Sequence, residues 1–339
     1  METGFLSELD FSRNLIQILS NNFPGKLLHL PLMVVVHRQL QLVSCLFFVR
    51  CSSYSLTCCI CCKCHLFSQF CFLWWSYASS YQCVIIISQG GDPSQERNYV
   101  LEAATSSLST FARLPWGSRS LLESFDKSET TSDSFKHLQL FEFETCPFCR
   151  RVREALTELD LSAEVYPCPK GSVRHREMVR NFGGKEQFPF LVDPNTGISM
   201  YESGDIVKYL FQQYGKGRSP SMGLLESTLF TGWVPTILRA GRGMTKWERA
   251  RPDPPSEKLE LFSFENNQYA RIVREALCEL ELPYILQNVG AGSHRTNLLL
   301  ELSGSQEVPF LVDPNTGARI GSYKNILAYL FTTYSAAAI

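Results

Sequence analysis

Between Asp10 and Asp92 the chain has neither aspartate nor glutamate, although its 339 residues carry 33 acidic side chains in all. The same interval holds nine of the thirteen cysteines, including the run CCICCKCH from Cys58 to His65. A zinc site needs spaced ligand pairs held on turns, so adjacent cysteines competing for one geometry speak against it, and no metal is expected. An uninterrupted run of about 20 apolar residues, the length that spans a bilayer, is missing as well. Arg50, Lys63 and His65 break each candidate, which leaves only residues 66–75 and 84–87 for an interfacial or spanning segment. Membrane association has no further support. A net charge of -1 gives no bulk attraction to nucleic acid or to an anionic surface. The acid-poor beginning shares the charge bias of an organelle transit peptide but not its Arg-rich amphipathic pattern. Residues 1–94 are therefore expected to contribute nothing to the fold, as a disordered or targeting region or as the product of an imperfect gene model.

From Gln95 onward the composition is ordinary. Residues 95–137 read as a short amphipathic helix, RNYVLEAATSSLSTFARL, and a polar linker containing DKSETTSDS, which has no apolar period. Then the chain repeats itself. Leu138 matches Leu259 at an offset of 121 (259 − 138), Pro189 matches Pro309 at 120 (309 − 189), and the nonapeptide PFLVDPNTG recurs unchanged at 189–197 and 309–317. This is an internal duplication.

Each copy opens on an alternating strand (LQLFEF, LELFSF) and continues into a helix with apolar residues at helical spacing and charge on its other face (RRVREALTELDL, ARIVREALCELEL). In the first copy the helix leads to a strand at 164–166, a basic helix or turn at 172–181, the strand FPFLVD, a DPNTG turn, a strand edge and the helix SGDIVKYLFQQY. The order β-α-β-α-β-β-α is that of a minimal thioredoxin fold, so the fold class is α/β with two tandem thioredoxin-like domains, at 138–215 and 259–335. Residues 216–258 are too apolar for a free tether and are expected to pack between the domains or against a partner.

The chemistry lies in the first copy. Cys146-Pro147-Phe148-Cys149 falls between a strand and a helix, which places Cys146 at a helix N-terminus with its sulfur exposed and its thiolate stabilised by the helix dipole and backbone N–H groups. Arg150 and Arg151 add positive charge nearby. Cys149, one turn along, is placed to resolve a mixed disulfide on Cys146. Ser203 reads as the N-cap of the last helix, with Asp205 in its first turn. In the second copy Asn267 and Ala270 replace both thiols, Ser322 and Tyr323 stand where Glu202 and Ser203 stood, and Cys278 reads as a buried structural thiol.

CPFC, then Phe188-Pro189, then Tyr201-Glu202-Ser203 before the last helix resemble the glutaredoxins and the glutathione-binding N-terminal domain of glutathione S-transferases. The tandem is similar to plant thioredoxin-family proteins with two such domains, which implies a chloroplast location. The resemblance implies Cys146 as nucleophile, Cys149 as resolving thiol, a cis Pro189, the Phe188 backbone pairing with the cysteinyl group of glutathione, and Glu202 with Ser203 holding its γ-glutamyl end. Glutathione is then the co-substrate, and glutathione or a protein disulfide the partner. Phe143 stands where glutaredoxins commonly carry lysine, so Lys185 or Arg150 is left to meet the glycyl carboxylate. The implied activity is thiol-disulfide exchange. Two alternatives stay open: a glutathione-dependent isomerase resembling the membrane-associated prostaglandin E synthase type, and a non-catalytic redox-sensing interaction protein.

Overall fold

The computed structural model describes residues 97–121 and 136–336. The expectations for residues 1–94 and for the polar linker lie outside the described residues. In the first repeat, β1 (Leu138–Glu142) leads to α2 (Pro147–Glu158), then β2 (Ala163–Pro167), α3 (His175–Gly183), β3 (Phe190–Asp193), β4 (Ile198–Met200) and α4 (Ser203–Tyr214). The second has the same order: β5 (Leu259–Ser263), α7 (Gln268–Glu279), β6 (Tyr284–Asn288), α8 (Thr296–Ser303), β7 (Phe310–Asp313), β8 (Ala318–Gly321) and α9 (Tyr323–Thr333). Three further helices precede the repeats: α1 (Tyr99–Phe111) before the first, and α5 (Thr228–Thr231) with α6 (Trp233–Leu238) before the second.

Within each repeat the first two strands are parallel and the last two antiparallel. The two sheets are one. β2 pairs antiparallel with β6, Ala163 opposite Leu286 and Val165 opposite Tyr284, giving the order β4-β3-β1-β2-β6-β5-β7-β8. Since Ala163 corresponds to Tyr284 and Val165 to Leu286, each pairing is the image of the other under a pseudo-two-fold axis at Glu164–Ile285. Val165 packs into the apolar core of the second repeat, together with Leu261, Ile272 and Tyr284.

The repeated nonapeptide has a structural cause. Asp193 takes hydrogen bonds from the Asn195 N–H and from the hydroxyls of Tyr209 and Tyr214. Asp313 takes the same set from Asn315, Tyr329 and Tyr334. Asn195 and Asn315 each exchange two bonds with the backbone ahead of their own β1-type strand, at Lys136 and Glu257. Gly197 and Gly317 close the turns at φ 75 and 74, a region a side chain rarely adopts.

The charged face expected on α2 is not solvated. Every residue from Cys149 to Glu158 is buried, as are Arg271, Arg274, Glu275 and Glu279 on α7. Arg153 Nε meets Glu265 at 2.7 Å and its Nη2 meets Glu144 at 3.1 Å; Arg274 Nε meets Glu144 at 3.1 Å and its Nη2 meets Glu265 at 3.0 Å. This quartet ties each domain to the other. Arg153 also contacts Glu142 on β1.

Residues 95–137 are more than a helix and linker, and the repeat unit begins before Leu138. Arg113 forms a two-bond fork with Glu154 on α2, and Arg239 forms the same fork with Glu275 on α7. Four residues after each arginine comes a glycine at positive φ, Gly117 and Gly243. A Cβ on Gly117 would lie 3.0 Å from both Glu154 Cγ and Glu265 Cβ, and one on Gly243 3.0 Å from Glu144 Cβ. The backbone beyond reaches into the opposite domain, Arg119 bridging to Ala291 and Thr245 to Lys170. The helices are exchanged too: α1 precedes the first domain but bonds through Ser106 and Ser107 to Gln268 of the second. α5 precedes the second domain but takes Arg151 of the first on Thr228.

Removing one partner from a buried charge network leaves an uncompensated ion and costs about 3–5 kcal/mol. Arg153→Met is therefore expected to lower the unfolding free energy by roughly that amount in urea titration. Wild-type fluorescence and circular dichroism should report one shared transition; two separate transitions would mean that the domains unfold independently. Acid should act through Glu265. Burial opposes its ionisation, but Arg153, Arg274 and Arg150 hold its carboxyl down to about 2, from an ordinary 4.5. A depressed folded value contributes stability that is present above the ordinary value and lost as the pH falls towards 2. Glu265→Gln should flatten that part of the stability–pH curve. Glu142 has the opposite sign, since burial raises it to about 7, and its contribution is lost as the pH rises through that value.

Candidate functional site

Cys146 is the N-cap of α2, in an extended conformation, with Pro147 at the first helical position. Proline costs nothing there, because that N–H has no intrahelical acceptor. The Cys149 backbone N–H donates to Cys146 Sγ at 3.4 Å, and the Cys146 N–H donates to the Phe143 carbonyl at 3.1 Å. The Cys146 thiol is pushed below its ordinary value by the Cys149 thiol and by the backbone N–H groups of Cys149 and Phe148, against the effect of burial. A capping thiolate is the form those donors favour.

Three expectations for this motif need correction. Cys146 is not exposed: the residue is 6% accessible and Cys149 0%. The arginines are not what lowers its thiol. Arg150 is committed to Glu154, Glu265 and Asn266, and Arg151 to Thr228, Ser203 and the Leu225 carbonyl. Arg150 is thus buried in the interdomain network and unavailable to a glycyl carboxylate. Cys149 is fully buried, and that burial together with the neighbouring Cys146 pushes its thiol well up.

The remaining candidates gather around the same loop. The Phe188–Pro189 bond is cis, Phe188 is half-buried, and its ring meets Phe143 edge-on at 6.0 Å. Gln187, just before it, donates to the Glu202 carboxylate. Glu202, not Ser203, is the N-cap of α4, at φ 65 and without a side-chain cap bond. Ser203 is the first helical residue, buried, and its hydroxyl accepts from Arg151 at 3.2 Å. The sequence pattern misses this because a Ser before an apolar run reads as a cap, whereas here Arg151 draws its hydroxyl inward. Lys185 is exposed with its ammonium 4.6 Å from the Tyr201 ring.

Sequence reasoning also missed the residues that the segment between the domains brings to this loop. The Thr145 hydroxyl donates to the Arg242 carbonyl at 2.8 Å, and Thr236 donates to the Thr145 carbonyl at 2.6 Å. Gly232 packs so closely on Pro147 that an added Cβ would lie 3.0 Å from the proline Cβ. The Trp233 ring meets Phe148 edge-on at 6.3 Å. One available signal was the matched spacing Arg113–Gly117 and Arg239–Gly243, which marks these segments as part of the repeat.

The corresponding place in the second domain is filled. Asn267 Oδ1 accepts from the N–H groups of Tyr269 and Ala270, at 3.0 and 2.8 Å, doing as a neutral carbonyl what Cys146 does as a thiol. Tyr323 stacks on Tyr269 with centroids 4.9 Å apart, and Tyr99 of α1 meets Tyr323 edge-on at 6.0 Å. Val308–Pro309 is cis and Ser322 has φ 63, so the backbone frame is kept without the thiols. Cys278 is buried, its thiol pushed up by that burial. Among the described residues no His, Cys, Asp and Glu cluster could hold a metal, and no helix is long and apolar enough to cross a membrane.

The family of the glutathione S-transferase N-terminal domain matches the chain twice, over residues 140–219 and 261–338. The glutathione S-transferase-like protein tpcF of Aspergillus fumigatus is 36% identical over 87 residues, 25% of this chain and 38% of that protein. The match therefore spans well under half of the relative's length. Among solved structures, the apo form of Phanerochaete chrysosporium URE2P6 is 25% identical over 26% of this chain and 47% of that one, with a TM-score of 0.19. The trimeric glutathione transferase TDR1 of Leishmania is 14% identical over 60% of this chain and 68% of that one, with a TM-score of 0.23. The two family matches coincide with the two α/β repeats, and the chain is a thioredoxin-fold, glutathione S-transferase-like protein carrying two N-terminal-type domains in tandem.

Proposed function

We propose that the first domain is a glutathione-dependent thiol-disulfide oxidoreductase of glutaredoxin-like type and that the second is its non-catalytic support. The observation that carries this reading is Cys146 at the N-cap of α2, its thiol pushed down, beside the cis Phe188–Pro189 bond and the start of α4. The Cys146 thiolate attacks the glutathionyl sulfur of a glutathione mixed disulfide, forming a Cys146–glutathione disulfide and releasing the other half as a thiolate that takes a proton from solvent. A glutathione thiolate then attacks the glutathionyl sulfur held on Cys146, releasing oxidised glutathione and restoring the Cys146 thiolate. The net reaction consumes one free glutathione per mixed disulfide, its thiol replacing the departing half, which leaves as a free thiol. Full burial of Cys149 leaves Cys146 as the thiol that meets glutathione, which supports this route.

Glu202 and the first turn of α4 would receive the γ-glutamyl group, since a helix N-terminus favours a carboxylate, and the Phe188 backbone would pair with the cysteinyl group. A protein disulfide is the alternative partner, and a chloroplast location is proposed on the tandem resemblance. An isomerase using bound glutathione would also need Cys146 and not Cys149, so the two readings separate on whether oxidised glutathione forms.

Cys146→Ser is expected to abolish glutathione-dependent disulfide reduction, while Cys149→Ser keeps a substantial part of it. The pH dependence of iodoacetamide alkylation at Cys146 should show a midpoint below that of an ordinary cysteine, about 8.5. Full activity in Cys146→Ser, or an ordinary midpoint, would defeat the reading.

A further inference from the structure

Two aromatic pairs flank Cys146. Phe143 and Phe188 meet edge-on at 6.0 Å on the Pro189 side, and Phe148 and Trp233 meet edge-on at 6.3 Å on the other. The second pair is unusual in origin, because Trp233 begins α6, in the stretch between the two blocks that match the family. Trp233 is held there firmly: Gly232 lies against Pro147, and Thr236, one turn on, bonds to the Thr145 carbonyl. Yet Trp233 stays 48% accessible, and Ile237, on the same helical face, is 64% accessible. A large aromatic residue fixed against Phe148 of the Cys-Pro-Phe-Cys turn, with about half of its surface left in water, offers an apolar contact to a ligand held on Cys146.

Resting on the oxidoreductase reading above, we infer that Trp233 is a specificity-determining residue of the Cys146 site and that it selects disulfides whose leaving half is apolar or aromatic. In the first step the Cys146 thiolate takes the glutathionyl sulfur of a mixed disulfide. The apolar thiolate departs along Phe148, Trp233 and Ile237 and is protonated by water. The second glutathione then regenerates Cys146 as before. α6 carries no charged side chain, and the Arg151 guanidinium, 5.9 Å from the Phe148 ring centroid, is committed to Thr228, Ser203 and the Leu225 carbonyl. A hydrophilic leaving thiol gains nothing from the wall.

The test compares two substrates that share their glutathionyl half: the mixed disulfides of glutathione with benzyl mercaptan and with 2-mercaptoethanol. Wild type should prefer the benzyl compound in kcat/KM. In Trp233→Ala the preference ratio should fall on the order of tenfold, the size of one lost apolar contact, chiefly through KM, and Trp233→Phe should restore most of it. Thermal unfolding of both variants excludes a folding defect as the cause. An unchanged ratio in a folded Trp233→Ala, or equal loss on both substrates, overturns the inference while leaving the oxidoreductase reading in place. Failure of wild type on both substrates overturns the two together.

Discussion

The buried exchange of charge among Arg153, Glu144, Arg274 and Glu265 is the constraint on which the other features rest. None of the four can be left in an apolar interior alone, because an unpaired buried ion costs several kcal/mol. Each therefore needs the opposite domain in place. Around them Arg113 and Arg239 neutralise Glu154 and Glu275, and Gly117 and Gly243 let the backbone pass close enough for those forks to form. The β2–β6 pairing then completes the sheet across the same axis. Such a network is a poor source of net stability compared with apolar packing, but it specifies one docking geometry, and that geometry carries the leading segments onto the opposite domains.

The loss of both thiols from the second repeat obeys the same logic. The N-cap of α7 needs an acceptor for the first free N–H groups, and the Asn267 carbonyl supplies one without a reactive sulfur. Tyr269, Tyr323 and Tyr99 fill the space above it. With the frame of cis Pro309 and the Asp313 turn retained, the second domain keeps everything that packing requires and nothing that sulfur chemistry does. Its leading segment serves the first domain instead, clamping Thr145 at its carbonyl through Thr236 of α6 and at its hydroxyl through the Arg242 carbonyl.

That clamp decides the character of the Cys146 site. The Cys146 thiol is pushed down by the Cys149 thiol and by the backbone N–H groups of the helix N-terminus, while its surroundings are set by chain far away in sequence. Phe148 alone would be an exposed ring on the first turn of α2. With Trp233 against it, the ring becomes one side of an apolar wall.

The duplication, the strand and helix order of both repeats, Cys146 at a helix start and the absence of both thiols from the second copy were all legible in the sequence, because periods of two and 3.6 residues and repeated peptides are local signals. The nonapeptide was legible too, though its role in holding Asp193 and Asp313 was not. Ser203 was misread because a cap depends on where its hydroxyl points, and Arg151, from another helix, settles that. The arginines and glutamates of α2 and α7 read as the charged side of amphipathic helices, since amphipathic spacing marks which face is charged but not what covers it. Only the tertiary structure decided that the covering surface is the other domain, that α1 and α6 change places, and that Trp233 stands against Phe148, because these depend on charges and rings meeting across long stretches of chain.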